Sequence, residues 1–292
     1  MEKIRFEVGG IELVGDLYLP ANASGPVPAV AIIGPMTYHK EQAPTEYARR
    51  LADQGFAALA YDSRYRGESG GEPRAWENPA HKVEDLEGAV AFLRSRPEID
   101  PARVSILGIC QGSSEAVVAA SNIGGLKGLA TVAGHYRDHA GDLEWLTEEG
   151  FQARISQGRA SRDRYESTGE VDYIKGVDQT DMNVGMPGEF VWKWYQPWAD
   201  RGIWENRYAV MSDASLLEYE SISSLKELKV PWLMIHGDNC FLPSAARRHA
   251  DAVPDDVRFE LVWNDTPHTD YYDQAYAIDA ALAKIVPWFG DA

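Results

Sequence analysis

The residues of this 292-residue chain best suited to chemistry lie in Gly108-Ile109-Cys110-Gln111-Gly112. Glycines stand two residues to either side of a cysteine, where an apolar run ends and a helical pattern begins. A sharp strand-to-helix turn needs that context, because it holds its nucleophile in a strained conformation and only glycine leaves it room. The helix N-terminus behind such a turn favours negative charge, which would lower the thiol pKa and later help an oxyanion. The competing reading of Cys110 is a small hydrophobe packed in a core.

A nucleophilic thiol needs a base. Among seven histidines, His268 stands out, in the polar loop Asp265-Thr266-Pro267-His268-Thr269-Asp270 between the last apolar run and the last helical one. A carboxylate would orient its imidazole and stabilise the imidazolium. The segment His236-Gly237-Asp238-Asn239-Cys240 offers Asp238, with Asp213 and Asp265 as alternatives. Two backbone N–H groups should meet the oxyanion. One is that of Gln111; the other comes from Gly34-Pro35-Met36-Thr37, where Pro35 has no N–H and Met36 is the candidate.

These groups need a frame. Residues 4–8 alternate in polarity, Gly9-Gly10 turns, and residues 11–19 alternate again, which reads as an antiparallel hairpin. Short apolar runs follow at 28–33, 57–60, 104–109, 129–133, 232–235 and 259–262, as expected of strands buried on both faces. Helical spacing fills 45–54, 83–94, 111–121, 243–252 and 272–289. The alternation predicts an α/β fold, a mostly parallel twisted sheet with helices on both faces. Residues 1–133 and 216–292 would form this core. Residues 134–215 hold no buried strand and are rich in aromatics, so they read as a helical cap inserted at the carboxyl ends of the strands, where ligands bind. Trp192, Trp194, Tyr195, Trp198 and Trp204 are its candidates for lining an apolar pocket; the bland reading is that they pack the insertion onto the core.

The net charge of −17 argues against nucleic acid or anionic lipid as partners. No apolar run approaches the roughly 18–20 residues of a membrane span. Two cysteines are too few for a disulfide framework, and the charged N-terminus is not a leader, so a cytoplasmic protein with a small-molecule substrate is expected. Exposed apolar cap surface would suit a homodimer. His135 and His139, with Asp138 and Asp142 nearby, have a ligand-like spacing, but a solvated polar face explains them better and no metal is expected. Arg64, Arg66 and Arg74 would pair with Asp62, Glu68 and Glu72 rather than hold a carboxylate.

The chain resembles the α/β-hydrolase superfamily, in particular its dienelactone-hydrolase-like and YcjY-like branches with a cysteine at the nucleophile turn. The resemblance rests on Gly34-Pro35-Met36 leading to Lys40-Glu41-Gln42, on Tyr61-Asp62-Ser63-Arg64 with Arg66-Gly67-Glu68-Ser69-Gly70-Gly71-Glu72-Pro73-Arg74, on residues 107–112, and on His268-Thr269-Asp270-Tyr271-Tyr272-Asp273. It implies acyl chemistry without a cofactor, the hydrolysis of an ester, lactone or thioester, and it gives Glu41 a part in controlling the thiol. Capture of the acyl group by an internal nucleophile would make the protein a cyclase or acyltransferase instead. A scaffold that binds a small molecule without turning it over is the third reading.

Overall fold

A computed structural model describes residues 1–291. Its strands are β1 (Glu2–Val8), β2 (Ile11–Tyr18), β3 (Val27–Ile33), β4 (Ala57–Tyr61), β5 (Ile99–Ile109), β6 (Leu129–Val132), β7 (Tyr173–Ile174), β8 (Tyr208–Ala209), β9 (Trp232–His236) and β10 (Phe259–Trp263). The helices are α1 (Ala43–Asp53), α2 (Pro79–Ser95), α3 (Gly112–Asn122), α4 (His139–Thr168), α5 (Glu189–Asp200), α6 (Ser212–Leu217), α7 (Pro243–Asp251), α8 (Asp270–Asp273) and α9 (Ala275–Asp291). Eight strands form one sheet in the order β1-β2-β4-β3-β5-β6-β9-β10. The hairpin β1–β2 and its junction with β4 are antiparallel, and the remaining neighbours are parallel. The fold is the expected α/β arrangement.

Register places the site. Ile33 pairs with Gly108, Ile109 with Val132, and Val132 with Ile235. The carboxyl ends of β3, β5, β6 and β9 are therefore level, and the loops that follow them emerge side by side. Burial explains why these strands read as continuous apolar runs: every residue of β4 and of β6 is buried. Helix α2 starts where Asn78 accepts a hydrogen bond from the His81 N–H and Pro79 occupies the first turn.

Two expectations change. The helix expected over 272–289 is two helices, broken at Gln274, whose backbone is extended. The short α8 buries both Tyr271 and Tyr272, and Tyr272 belongs to the site. The region 134–215 holds α4, α5, the start of α6 and the two-residue ribbon β7–β8, joined by long irregular stretches, and it has no separate core among the described residues. Its Met186, Trp194, Tyr195, Trp204 and Tyr208 share one apolar cluster with Tyr47, Leu233, Ile235 and Phe289 of the sheet and its helices. No helix among the described residues is long and apolar enough to cross a membrane.

Candidate active site

Cys110 follows β5 with φ +55°, in the left-handed region that side chains other than glycine seldom occupy. The two glycines make this turn feasible. A Cβ on Gly112 would lie 2.5 Å from the carbonyl oxygen of Gly34, and one on Gly108 would lie 2.7 Å from that of Gly112. The turn is also hydrogen-bonded into the sheet: Cys110 N–H donates to Val132 O (3.1 Å), and His135 N–H donates to Cys110 O (2.9 Å). The backbone N–H groups of Gln111 and Met36 both point at the Cys110 sulfur. These are the two donors expected of an oxyanion hole, and they converge from separate loops. Behind the turn, the Gln111 amide donates to the buried carboxyl of Glu115 (3.1 Å), whose pKa burial raises to about 7.

His268 is buried on the other side of the sulfur, with the hydroxyl of Tyr272 between them. That hydroxyl is 2.7 Å from His268 Nε2 and within hydrogen-bonding reach of the thiol. At the opposite ring nitrogen, Nδ1 accepts from the Phe241 backbone N–H (3.2 Å). An acceptor at Nδ1 places the proton of a neutral imidazole on Nε2, facing Tyr272. Burial lowers the His268 pKa to about 3 and raises that of the Cys110 thiol to about 11, so the pair rests neutral.

The acid is not where the sequence placed it. Asp238 is exposed on the surface and its carboxylate is paired with Arg247 (2.8 Å), so the structure does not bring it to His268. The loop is one short turn, with Cys240 N–H bonded to Gly237 O, and it offers His268 the main chain of Phe241 instead of a side-chain oxygen. Cys240 is buried, its sulfur 3.8 Å from Thr266 O. Asp213 is held by Tyr208 (2.6 Å) and Arg154 (3.2 Å), and Asp265 is exposed. Glu41 pairs with Lys40 at the surface. No carboxylate among the described residues hydrogen-bonds His268.

A cavity opens above Cys110. Trp194 and Tyr195 line it, and so do Trp145, Phe190, Phe241 and Tyr272. Trp192, Trp198 and Trp204 do not. Trp192 packs against the shared apolar cluster, Trp198 lies under the Arg201 guanidinium at 3.9 Å, and Trp204 is buried. Trp204 has a different part: its Nε1–H donates to Thr37 O (2.7 Å), while the Tyr195 hydroxyl donates to Met36 O. The insertion thus clamps the loop that carries Met36. The sequence reading passed over Phe241 and Tyr272 as site residues. Their signal was proximity, three residues after Asp238 and four after His268.

None of Arg64, Arg66 and Arg74 lines the cavity. Arg64 pairs with Asp85 (2.6 Å), Arg66 donates to the Arg207 carbonyl (3.0 Å), and Arg74 donates to the Gly67 carbonyl (2.7 Å). The carboxylates near His135 and His139 are committed too: Asp138 caps α4 and pairs with Arg248 (2.8 Å), and Asp142 pairs with Arg137 (2.7 Å).

The model of the dienelactone hydrolase family matches residues 13–172, a stretch that contains Met36 and the turn at Cys110 but ends before His268. The uncharacterized protein PA2218 of Pseudomonas aeruginosa is 30% identical over 286 residues, 91% of this chain and 74% of that protein. Its crystal structure superposes with a TM-score of 0.85 and 25% identity, covering 99% of this chain and 92% of the other. Polyketide transferase af380 of Aspergillus fumigatus is 25% identical over 261 residues, 87% of this chain and 85% of its own length. Thiohydrolase apmlB of Arthrinium phaeospermum is 36% identical over 124 residues, 41% of this chain and 38% of that protein. The chain belongs to the dienelactone hydrolase family and is a hydrolase of the α/β-hydrolase fold.

Proposed function

We propose that the protein is a cysteine-dependent acyl hydrolase, acting on an ester, lactone or thioester of a bulky apolar small molecule through an acyl-enzyme on Cys110. The observation that carries this reading is the convergence of the Gln111 and Met36 N–H groups on the Cys110 sulfur at the floor of an aromatic cavity. Donors aimed at the sulfur are also close to where a carbonyl oxygen would gain charge during attack.

In the first half-reaction His268 gives up the Phe241 N–H and carries its proton on Nδ1, which frees Nε2 to take the thiol proton, directly or through the Tyr272 hydroxyl, as sulfur bonds to the acyl carbon. The carbonyl oxygen becomes the oxyanion held by the two N–H groups. Collapse of this adduct breaks the bond to the leaving group, which takes the proton back from His268. Water then attacks the acyl-enzyme, gives its proton to His268, and frees the acid and the thiol. The Phe241 N–H at Nδ1 opposes imidazolium formation, because a doubly protonated ring has no lone pair to accept it. The oxyanion hole therefore carries more of the stabilisation than in a site with a carboxylate at Nδ1.

The same feature favours a second reading. A weakly basic histidine under an apolar roof activates water poorly, and a nucleophile within the substrate, or on a second one, would then compete for the acyl group. The product would be a ring or a transferred acyl chain, in keeping with the name of the polyketide transferase relative.

Intact-protein mass after brief exposure to activated acyl esters and thioesters tests both readings. An acyl adduct is expected on the wild type and not on Cys110→Ala. An equal adduct on both would reject Cys110 as the nucleophile. Product mass separates the readings, since hydrolysis adds one water and cyclisation adds none.

A further inference from the structure

The cavity is not uniformly apolar. Beyond Cys110, on the segment that follows β6, His135 and Arg137 line its wall while 7% and 2% exposed, respectively. Each carries a nitrogen that no protein atom satisfies: Nε2 of His135 and Nε of Arg137. Buried polar groups are nearly always partnered, so both nitrogens keep hydrogen-bonding capacity that the protein leaves unused. Their position is fixed relative to the nucleophile. His135 N–H holds the Cys110 carbonyl, and Arg137 N–H donates to the Ser114 hydroxyl (2.7 Å) one turn into α3.

We propose that His135 and Arg137 form a recognition point for a neutral oxygen, a ketone or hydroxyl, carried on the acyl chain beyond its reacting carbonyl. This rests on the acyl-enzyme reading and adds a substrate class to it: oxoacyl or hydroxyacyl groups in preference to plain hydrocarbon ones. Neutrality follows from the charges already in place. Arg137 is matched by Asp142 and Arg154, further along the wall, by Asp213, so an ionised carboxylate would find no unmatched cation. Burial, and then the Arg137 charge, hold the His135 pKa well below its ordinary value, so its ring is neutral. An oxygen placed here accepts hydrogen bonds that nothing else supplies, while Trp145, Phe190 and Phe241 cover the rest of the chain.

The test is a set of N-acetylcysteamine thioesters of one chain length: octanoyl, its 3-oxo, 5-oxo and 3-hydroxy forms, and a chain ending in a carboxylate. Acylation rates are followed by thiol release, with the adduct on Cys110 checked by mass. For wild type, at least one oxygenated chain should outpace octanoyl by about tenfold or more, the scale expected when buried donors are left unpaired by the poorer substrate. That ratio should fall toward one in His135→Leu and recover in part in His135→Gln, which restores a donor. Equal rates across the neutral chains, a preference for the carboxylate, or a ratio unmoved in His135→Leu would each overturn the subsite while leaving the acyl-enzyme in place. No Cys110 adduct from any chain would reject the acyl-enzyme reading itself, and the subsite with it.

Discussion

Around Cys110 two of the hydrogen-bonding groups are main chain and the third is the Tyr272 phenol it shares with His268, whereas the other contact of His268 is a peptide N–H where a carboxylate would assist the imidazolium. The Gln111 side of the first wall is set by glycines, a strand end and a helix start, while its Met36 side is held by the side chains of Tyr195 and Trp204. The second depends on which side chains a short loop presents. Asp238 faces solvent and Arg247, and the ring gains no negative neighbour. On the proposed mechanism, this contrast gives charge stabilisation to the donors around Cys110 and makes His268 a proton carrier of low basicity.

The hardest blow to this contrast would come from His268→Ala. If the ring carries the proton at all, acylation of Cys110 should slow by about 10²–10⁴-fold. A loss within threefold would make the nucleophile wall sufficient alone. Tyr272→Phe should cost about tenfold, since it removes the hydroxyl lying between sulfur and Nε2. A faster enzyme would instead show that the phenol restrains the thiol. Tyr195→Phe should lower kcat about two- to tenfold with KM little changed, because it frees the Met36 carbonyl and loosens the oxyanion loop rather than the substrate. A rise in KM alone would place Tyr195 on the substrate.

Acidity sharpens the same comparison without mutation. A thiol raised to about 11 stays protonated until the pH climbs toward that value, and an imidazole lowered to about 3 stays neutral until the pH falls toward it. The profile of kcat/KM should therefore be flat from about pH 5 to about pH 9 as far as these two groups govern it. A step near neutrality would mean an imidazole of ordinary basicity. The smallest effect is expected for Asp238→Asn, within about twofold, as for an exposed ion pair. A large loss there would restore the acid that the loop geometry removes.

What could be read from residue order follows the same division. The strand-to-helix turn at Cys110 was legible because the glycines are steric necessities, and a continuously apolar strand before a helix admits few other folds. The apolar runs were found within a few residues because strands buried on both faces leave no alternation to blur them; β5 begins well earlier, at Ile99, and β10 is an edge strand with Glu260 and Leu261 exposed rather than a buried one. The acid was misplaced because a carboxylate in the right loop says nothing about which way a short turn points it. Of the five cap aromatics Trp194 and Tyr195 line the cavity and Trp192, Trp198 and Trp204 do not, because spacing marks an aromatic as buried but not whether it faces the cavity, as Trp194 does, or a backbone carbonyl, as Trp204 does. The break at Gln274 has no proline or glycine to announce it.

The apolar cluster shared between residues 134–215 and the sheet bears on how molecules enter and leave. Lifting the roof as a hinged lid would expose Trp194, Tyr195, Trp204 and Tyr208 together. At about 25 cal/mol per Å² and roughly 150–250 Å² for each ring, that motion costs on the order of 15–25 kcal/mol. A whole domain is typically stable by only about 5–15 kcal/mol, so such an opening would amount to unfolding. Traffic must instead pass between side chains at the rim, where Phe190 reaches both the cavity and solvent. Ring and rotamer motion there, and not a swinging domain, sets the girth of what can reach Cys110 and the pace at which product escapes.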